Sequence, residues 1–511
     1  MVTVGMVVCT AIALVMVVAT ITNLRHEITL VIGPVSRSGS FFGMTLAGVR
    51  GLSGRDAANW EQYERRVAQL KAEYDAIGPG EEVRLAKKTS NLFRPRKKAS
   101  RAGLNVAAFD GVIEIDSEAL TADVQGMTTY EHLVDATLAH GLMPLVVPEL
   151  KTITIGGAIT GLGIESSSWR NGMPHESVLE MDVLTGSGEV VTTDANGEHR
   201  DLFHGFPNSY GTLGYALRAR IELEAVRPYV RLQHLRFRRF EDLVQKLVDV
   251  CASGSHESEA VAFVDGCVFS PEESYLTLGS WSEEAPAVSE YTHMGIYYRS
   301  IQERREDWLT VRDYLWRWDT DWFWCSRAFG VQRPWVRRLL GPRFLRSDVY
   351  WKIVALESRY GLKAKADRLA GGPRRENVIQ DIEVPVDVVA EFVGDFQREV
   401  PISPFWLCPL QARERSAVWD LYRLDPDALY VNVGFWSSVP LADGMDAAHH
   451  NRWVEEEVDR LGGRKSLYST AFYEEDRFWE LYNGPVYDKL KARYDPSGRL
   501  LDLYEKCVRS R

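Results

Sequence analysis

The chain has 511 residues, 45% of them hydrophobic and 26% charged, which is ordinary composition for a globular protein of two or more domains. A formal net charge of −11 excludes broad nucleic-acid binding, which requires an excess of basic side chains. The six cysteines have no C-x-x-C spacing and the eleven histidines form no H-E-x-x-H motif, so we expect neither a metal site nor a disulfide framework.

The first 24 residues carry no charged side chain and are long enough to span a bilayer. Arg25 and Arg37 follow them, and positive charge on that flank predicts a membrane-associated protein whose catalytic body faces the cytoplasm. Translation that starts downstream, for example at Met44, would omit this leader and give a cytoplasmic protein. Both interpretations stay open, and residues 1–43 are set apart as a leader or membrane anchor.

The next part of the chain alternates helical and strand-like patterns. Apolar residues at helical spacing predict a helix over 55–77, and the Gly-rich turn 185–188 between two apolar runs predicts a hairpin. Further elements are predicted as strands at 83–86, 111–116, 122–125, 142–147, 178–184, 189–193 and 215–223, with a helix at 130–140.

The C-terminal part continues in the same mixed pattern. The predicted elements are strands at 230–237, 260–268, 274–278 and 429–435, and helices at 240–251 and 387–398. This order predicts an α+β fold. A boundary near Arg227–Pro228 divides the chain into domains at 44–227 and 228–511.

The stretch from Thr152 to Ser168 is rich in glycine and hydroxyl side chains and follows a strand-like run. Glycine allows backbone N–H groups to approach a ligand closely, and successive N–H groups form anion nests. The stretch therefore predicts a diphosphate cradle, with a Gly-rich turn in an ordinary sheet as the alternative. A P-loop lysine is absent, and Ser166 stands where G-x-G-x-x-G needs its third glycine.

A second unusual region, 308–351, is crowded with tryptophan, and arginines alternate with Trp335 and leucines between 333 and 346. Basic side chains beside Trp and Leu are typical of an element that lies on anionic lipid. An aromatic core segment with solvated arginines is the alternative.

Several strings resemble the FAD-linked oxidoreductases of the vanillyl-alcohol-oxidase type, and within them the Δ24-sterol reductase branch. They are T-I-G-G at 154–157, G-L-G-I-E-S-S-S at 161–168, Y-G-T-L-G at 210–214, F-W-L-C-P at 405–409, F-Y-E-E at 472–475 and F-W at 478–479. The resemblance runs from about residue 80 to the C-terminus. It implies an N-terminal α+β FAD-binding domain and a C-terminal α+β domain that caps the flavin and carries the substrate site.

The resemblance also implies which residues bind FAD. Many relatives tether the flavin through a histidine in the first pyrophosphate loop, and residues 87–91 contain none, so we expect non-covalent FAD. His175, downstream of the cradle, stays open as a flavin neighbour. The expected cofactor-binding residues are Lys88, Thr89, Ser90, Asn91, Thr154, Ile155, Gly156, Gly157, Ile159, Gly161, Gly163, Ile164, Glu165, Ser166, Ser167, Ser168, Tyr210, Gly211, Thr212 and Gly214.

For a member of this branch, the expected reaction is reduction of an isolated C=C bond in a lipid, either a sterol side chain or a methylene-branched fatty acyl chain. Such an alkene has no carbonyl to polarise it, so protonation must come before hydride from flavin N5. NADPH is the expected transient reductant. The proton donor is sought among Tyr473, Glu474 and Tyr468, with Glu475 and Glu165 as further candidates, and Trp406 and Cys408 are expected near the flavin. Oxidation of an alcohol, on a sugar or a lipid-linked polyol, is the alternative, since the fold alone permits it.

Overall fold

The computed structural model describes residues 59–78, 80–86, 93–94, 103–352 and 373–509. The predicted leader (1–43) and the predicted FAD contacts Lys88, Thr89, Ser90 and Asn91 lie outside these residues. Among the helices of the described ranges, none combines the length and the hydropathy that a bilayer crossing demands.

Within those ranges the strands are β1 (Leu85–Ala86), β2 (Leu104–Asn105), β3 (Val112–Asp116), β4 (Thr121–Gln125), β5 (Leu142–Pro144), β6 (Val178–Thr185), β7 (Val190–Asp194), β8 (Gly214–Ala225), β9 (Tyr229–Phe237), β10 (Ser255–His256), β11 (Glu259–Ala260), β12 (Phe263–Ser270), β13 (Glu273–Ser282), β14 (Glu306–Thr310), β15 (Arg375–Pro385), β16 (Phe405–Leu410), β17 (Tyr430–Pro440) and β18 (Arg464–Lys465). The α-helices are α1 (Trp60–Asp75), α2 (Tyr130–Leu138), α3 (Ile155–Gly161), α4 (Ser168–Asn171), α5 (Arg200–Gly205), α6 (Phe240–Ser253), α7 (Tyr297–Glu303), α8 (Val311–Leu315), α9 (Pro334–Leu340), α10 (Val389–Glu399), α11 (His449–Arg460), α12 (Glu475–Leu481), α13 (Gly484–Tyr494) and α14 (Leu503–Cys507).

The first sheet is antiparallel, with the order β3-β4-β8-β6-β7, and β5 pairs with β8 at one side. The hairpin of β6 and β7 forms where the Gly-rich turn predicted it, with Gly188 at φ 86°. Helix α1 packs on this part of the molecule through Tyr63, Leu70 and Tyr74, which recur at helical spacing.

The second sheet has eight antiparallel strands in the order β14-β9-β13-β12-β16-β17-β15-β18. Helices α6, α10 and α11 cover one face and form a hydrophobic core with the strands. In α10 the buried residues Val389, Phe392, Val393 and Phe396 follow the i, i+3, i+4, i+7 pattern of a helix with one apolar face. The predicted α+β class is confirmed.

The chain leaves the first sheet at Ala225 and enters the second at Tyr229. The C-terminal segment then returns to the first part, where the N–H of Val83 donates to the carbonyl of Arg499 (2.8 Å). The sheets are therefore joined at both their connection and the C-terminus, and the domain boundary at 227/228 stays a prediction.

The structure corrects one local expectation, because the centre of the Gly-rich stretch is a helix and not a turn. Residues Ile155–Gly161 form helix α3, with Thr154 as its N-cap. The Thr154 hydroxyl accepts a hydrogen bond from the N–H of Gly157 (3.2 Å). Capping of this kind offsets the low helix propensity of the three glycines in α3.

Candidate active site

A cavity of about 480 Å³ lies between the first sheet and the second. Its glycine wall consists of Gly156, Gly157, Gly161, Leu162, Gly163 and Ile164, from α3 and the residues after it. Its aromatic wall consists of Phe93, Trp322, Phe323, Trp406, Trp436 and Tyr468. The cavity surface thus includes a glycine-rich stretch of backbone and a group of aromatic rings.

Glycine is required in the glycine wall because side chains pack directly behind it. A Cβ on Gly161 would lie 3.3 Å from the Tyr210 ring, whose hydroxyl donates to the Gly161 carbonyl (2.9 Å). At Gly163 a Cβ would lie 3.2 Å from Pro174 and 3.3 Å from Pro148. These contacts are tighter than ordinary van der Waals distance, so the backbone itself forms the cavity surface.

The hydrogen bonds of the glycine wall show which N–H groups can face a ligand. The N–H of Ile155 donates to Thr128 (2.9 Å) and that of Gly156 to Gly126 (2.9 Å), so neither is available. The N–H groups of Leu162, Gly163 and Ile164 donate to no acceptor among the described residues. The available donors therefore lie just after α3, not at its start.

The expected cofactor-binding residues divide into two sets. Those that line the cavity are Thr154, Gly156, Gly157, Gly161, Gly163, Ile164, Tyr210, Gly211 and Gly214. Those that the structure describes away from its surface are Ile155, Ile159, Glu165, Ser166, Ser167, Ser168 and Thr212. The second set is buried and bonded inside the protein; the Ser167 hydroxyl, for example, donates to the carbonyl of Leu145 (2.8 Å).

Two features of the cavity suit FAD: a charged donor for the diphosphate and flat rings for the flavin. Arg94 lines the cavity, and its Nη2 is buried without a partner among the described residues, which leaves a charged donor for an anion such as a diphosphate. Its Nη1 donates to the Leu467 carbonyl, and its guanidinium lies 4.8 Å from the Tyr210 ring centroid, so the side chain is held in place. The aromatic wall suits a flat ring system, and Phe323 stacks on Trp436 with centroids 4.2 Å apart.

Asp381, in the middle of β15, brings a carboxyl group to the aromatic wall. Asn432 Nδ2 donates to its Oδ1 (3.3 Å), and Tyr468, whose hydroxyl accepts from Trp436 Nε1 (3.1 Å), lies beside it. Burial raises the pKa of Asp381 to about 6, because these partners are neutral and desolvation disfavours the carboxylate. Sequence reasoning missed this residue.

The strand paired with β15, which is β17, leaves space for the Asp381 side chain. Gly434 of β17 pairs with Asp381, and a Cβ there would lie 2.4 Å from Asp381 Oδ1 and 3.3 Å from the Trp406 ring. The glycine therefore makes room for the carboxyl group between the two strands.

A second carboxyl group, that of the buried Glu149, also reaches the cavity. Glu149 lines the cavity, and burial together with the adjacent Glu165 raises its pKa well above the ordinary range. Arg317 compensates the negative charge of two further carboxyl groups: its Nη1 donates to Glu165 (3.2 Å) and its Nη2 to Asp265 (2.8 Å).

Of the proton donors expected from the sequence, Tyr468 alone lines the cavity. Its pKa lies well above the ordinary range because of burial and the neighbouring Asp381. Tyr473 is part-buried away from the cavity, and its carbonyl accepts from the Tyr504 hydroxyl (3.2 Å). Glu474 is exposed as the N-cap of α12.

The remaining candidates also lie elsewhere. Glu475 is exposed and pairs with Arg509 (2.9 Å), whereas Glu165 is buried behind Glu149. Trp406 lines the cavity, but Cys408 is buried in the sheet. His175 is buried with its ring centroid 4.5 Å from that of Trp419, and burial lowers its pKa to about 3.

Comparison with known proteins agrees with this geometry. Residues 80–194 match the family model described as FAD binding domain. The chain is 25% identical over 448 residues to Delta(24)-sterol reductase of Arabidopsis thaliana, an alignment that covers 81% of this chain and 78% of the relative. It is 26% identical over 415 residues to Delta(24)-sterol reductase of Homo sapiens (78% and 76% of the two chains). Cytokinin dehydrogenase 1 of Oryza sativa is 30% identical over 160 residues, 31% of this chain and 30% of the relative.

The two-sheet fold, the glycine wall and the matched domain together define a FAD-binding oxidoreductase. Over about four fifths of its length the chain is similar to Delta(24)-sterol reductases, and residues 80–194 carry the matched FAD-binding domain.

Proposed function

We propose that this protein reduces an isolated C=C bond of a lipid, with non-covalent FAD in the cavity and NADPH as the reductant. The main supporting observation is the Asp381 carboxyl group, which lines the same cavity as the aromatic wall, the glycine wall and Arg94. The similarity to Delta(24)-sterol reductases over most of the chain supports the same assignment. A sterol side chain and a methylene-branched acyl chain share the required chemistry.

The chemistry of such an alkene requires an acid. Hydride addition to an unpolarised double bond would leave an unstabilised carbanion, whereas a proton added to the less substituted carbon leaves a tertiary cation. Reduced flavin, when bound, supplies the hydride that completes the reduction.

Asp381 is the acid that we assign to this step. A carboxylic acid with a pKa near 6 is a far stronger acid than Tyr468, whose hydroxyl pKa is raised above its ordinary value. Its proton forms the new C–H bond with the alkene electron pair, and the carboxylate that remains accepts a hydrogen bond from Asn432 and is stabilised by the neighbouring Tyr468. Tyr468 and Asn432 are thus positioning residues.

The aromatic wall serves the same step. Its rings exclude water from the carboxyl group and from the cation that protonation leaves. Ring faces also attract a cation, with a contribution of roughly 2 kcal/mol in a desolvated site. Phe93 and Trp322 stack with centroids 5.6 Å apart, so at least part of this wall is rigidly packed.

The test is anaerobic reduction of the purified full chain after incubation with FAD. We expect NADPH to bleach the flavin absorbance, and a lipid with an isolated side-chain double bond to restore it, with a product two hydrogens heavier by mass spectrometry. Bleaching by an alcohol and not by NADPH would overturn the proposal in favour of the alcohol oxidase. Protein that stays colourless with excess FAD would overturn both.

A further inference from the structure

Helix α9 and the loop after it carry an exposed patch that the proposed reaction does not use. The patch consists of Trp335, Arg338, Leu339, Pro342 and Arg343, all of which are exposed. Trp335 and Leu339 are one helical turn apart and keep 52% and 70% of their surface accessible to solvent. Two large apolar side chains are thus presented side by side.

The opposite face of α9 fixes the patch to the body of the protein. Arg337 lies two residues from both Trp335 and Leu339, which puts it on the other side of the helix. Its Nη1 donates to Asp321 (2.6 Å), its Nε to the His293 carbonyl (2.6 Å) and its Nη2 to the Gly295 carbonyl (2.9 Å). The outward direction of the apolar pair is therefore imposed by a buried anchor.

The charge around the patch is of one sign. Residues 327–346 contain six arginines and no acidic residue, in a chain whose net charge is −11. Arg337 and Arg346 are held in ion pairs, whereas Arg327, Arg333, Arg338 and Arg343 have no carboxylate partner among the described residues. An anionic surface would complement these four charges.

We propose that this patch docks on the surface of an anionic phospholipid bilayer, with Trp335 and Leu339 in the interfacial layer. Tryptophan prefers that layer, and arginines beside it are attracted to anionic headgroups. Two apolar side chains ringed by unpaired arginines are too small a nonpolar core for a stable protein interface, which buries about 800 Å² per partner.

The location of the patch indicates that docking would deliver the lipid substrate to the cavity, an inference that rests on the proposed function. The segment that carries the patch runs on to Trp351, whose ring centroid lies 4.9 Å from that of Phe93 and 6.1 Å from that of Trp322. Phe93 and Trp322 belong to the aromatic wall. A lipid substrate would therefore pass from the bilayer to the cavity along this side of the molecule.

The test places a spin label on the patch of the full chain. L339C is labelled, mixed with vesicles of phosphatidylglycerol and phosphatidylcholine, and its collision rates with oxygen and with a water-soluble nickel complex are measured. We expect oxygen collisions to rise and nickel collisions to fall. V418C, at another exposed apolar position, should stay aqueous, and labelled parent chain corrects for the native cysteines.

Charge reversal separates lipid docking from other causes. R338E/R343E should weaken insertion of the label at least tenfold, because each arginine near an anionic surface contributes about fivefold to partitioning. R65E/R415E changes the net charge equally on other elements and should leave insertion unchanged.

Two outcomes would overturn the proposal. The label could stay aqueous while the chain is bound to vesicles, or it could become immobilised without vesicles as protein concentration rises, which would mark a second copy as the occupant. Lipid reduction in detergent is measured on the same samples. Turnover without insertion would reject the docking and leave the proposed function standing. Insertion without turnover would reject the proposed function and leave the docking standing.

Discussion

Burial keeps the Asp381 carboxyl protonated up to about pH 6, and this proton is what the proposed reaction consumes. The acid is present below that pKa and is lost above it, so we expect turnover to fall about tenfold per pH unit above pH 6. Asp381→Asn removes the proton and should lower turnover by roughly 10²–10⁴-fold, the usual contribution of a general acid. Steady-state rates between pH 5 and 9, normalised to bound flavin, measure both effects.

Glu149→Gln is the control for that prediction. Glu149 also lines the cavity, and burial together with the adjacent Glu165 raises its pKa too, so it is the alternative proton donor at this site. The variant should keep the break near pH 6. A break that persists in Asp381→Asn and disappears in Glu149→Gln would assign the acid to Glu149 instead.

Glu383, two residues further along β15, affects stability and not chemistry. It accepts from the Tyr422 hydroxyl, and burial raises its pKa from 4.5 to about 8. The folded state then holds a proton that the unfolded chain releases above pH 4.5, so stability falls as pH rises from about 4.5 to 8, by about 5 kcal/mol in total. Glu383→Gln should flatten this decline in melting temperature, whereas Glu391→Gln, at a half-exposed position, should not.

At the scale of elements, helix α3 shapes the glycine wall through its N-cap. Thr154→Val removes the hydroxyl that accepts from Gly157 and should cost about 1 kcal/mol of stability. Because the cap also sets the position of the wall, we expect the variant to release FAD more readily. Dissociation constants by fluorescence and melting temperatures are the measurements.

Thr310→Val tests whether that effect is specific to the glycine wall. Thr310 caps α8 in the same way, accepting from the N–H of Asp313 (3.1 Å), but belongs to the second sheet and does not line the cavity. It should lower stability by a similar amount and leave FAD affinity unchanged. Equal FAD affinity in both variants would contradict the role assigned to α3.

Helices and strands with a clear hydrophobic periodicity could be predicted from the sequence, whereas the position of Asp381 in the cavity could not. The helix predicted over 240–251 is α6, Phe240–Ser253, since Leu243, Leu247 and Val250 carry the helical spacing. For the Gly-rich stretch the sequence predicted a diphosphate cradle, with an ordinary Gly-rich turn as the alternative; the centre of the stretch is helical because Thr154 caps α3. The sequence did not indicate a role for Asp381, because a polar residue within a strand usually marks the solvent face. Its place in the cavity depends on pairing with β17, about 50 residues further along the chain.

At the scale of the whole molecule, the cavity is completed by the end of the chain. Leu501 and Lys506 line it, although the glycine wall lies more than 300 residues earlier. Helix α14 is fixed there by the Asp502 cap and by the N–H of Leu503, which donates to the Tyr487 hydroxyl (3.0 Å). Arg94 Nη1 also reaches Cys507 Sγ (3.1 Å), so α14 is tied to a cavity-lining arginine.

Removal of residues 501–511 should therefore release FAD as well as destabilise the fold. Leu503, Tyr504 and Cys507 are buried, and the truncation loses the roughly 4–6 kcal/mol of hydrophobic stabilisation that their burial contributes. We expect a lower melting temperature and a FAD affinity reduced at least tenfold, because the cavity loses one side and Arg94 loses its contact with α14. Deletion of residues 510–511 alone is the control and should retain both. The longer truncation could instead remain folded and bind FAD as tightly as the intact chain. In that case residues 501–511 would not contribute to the FAD site, and the site would have to lie within the N-terminal part alone.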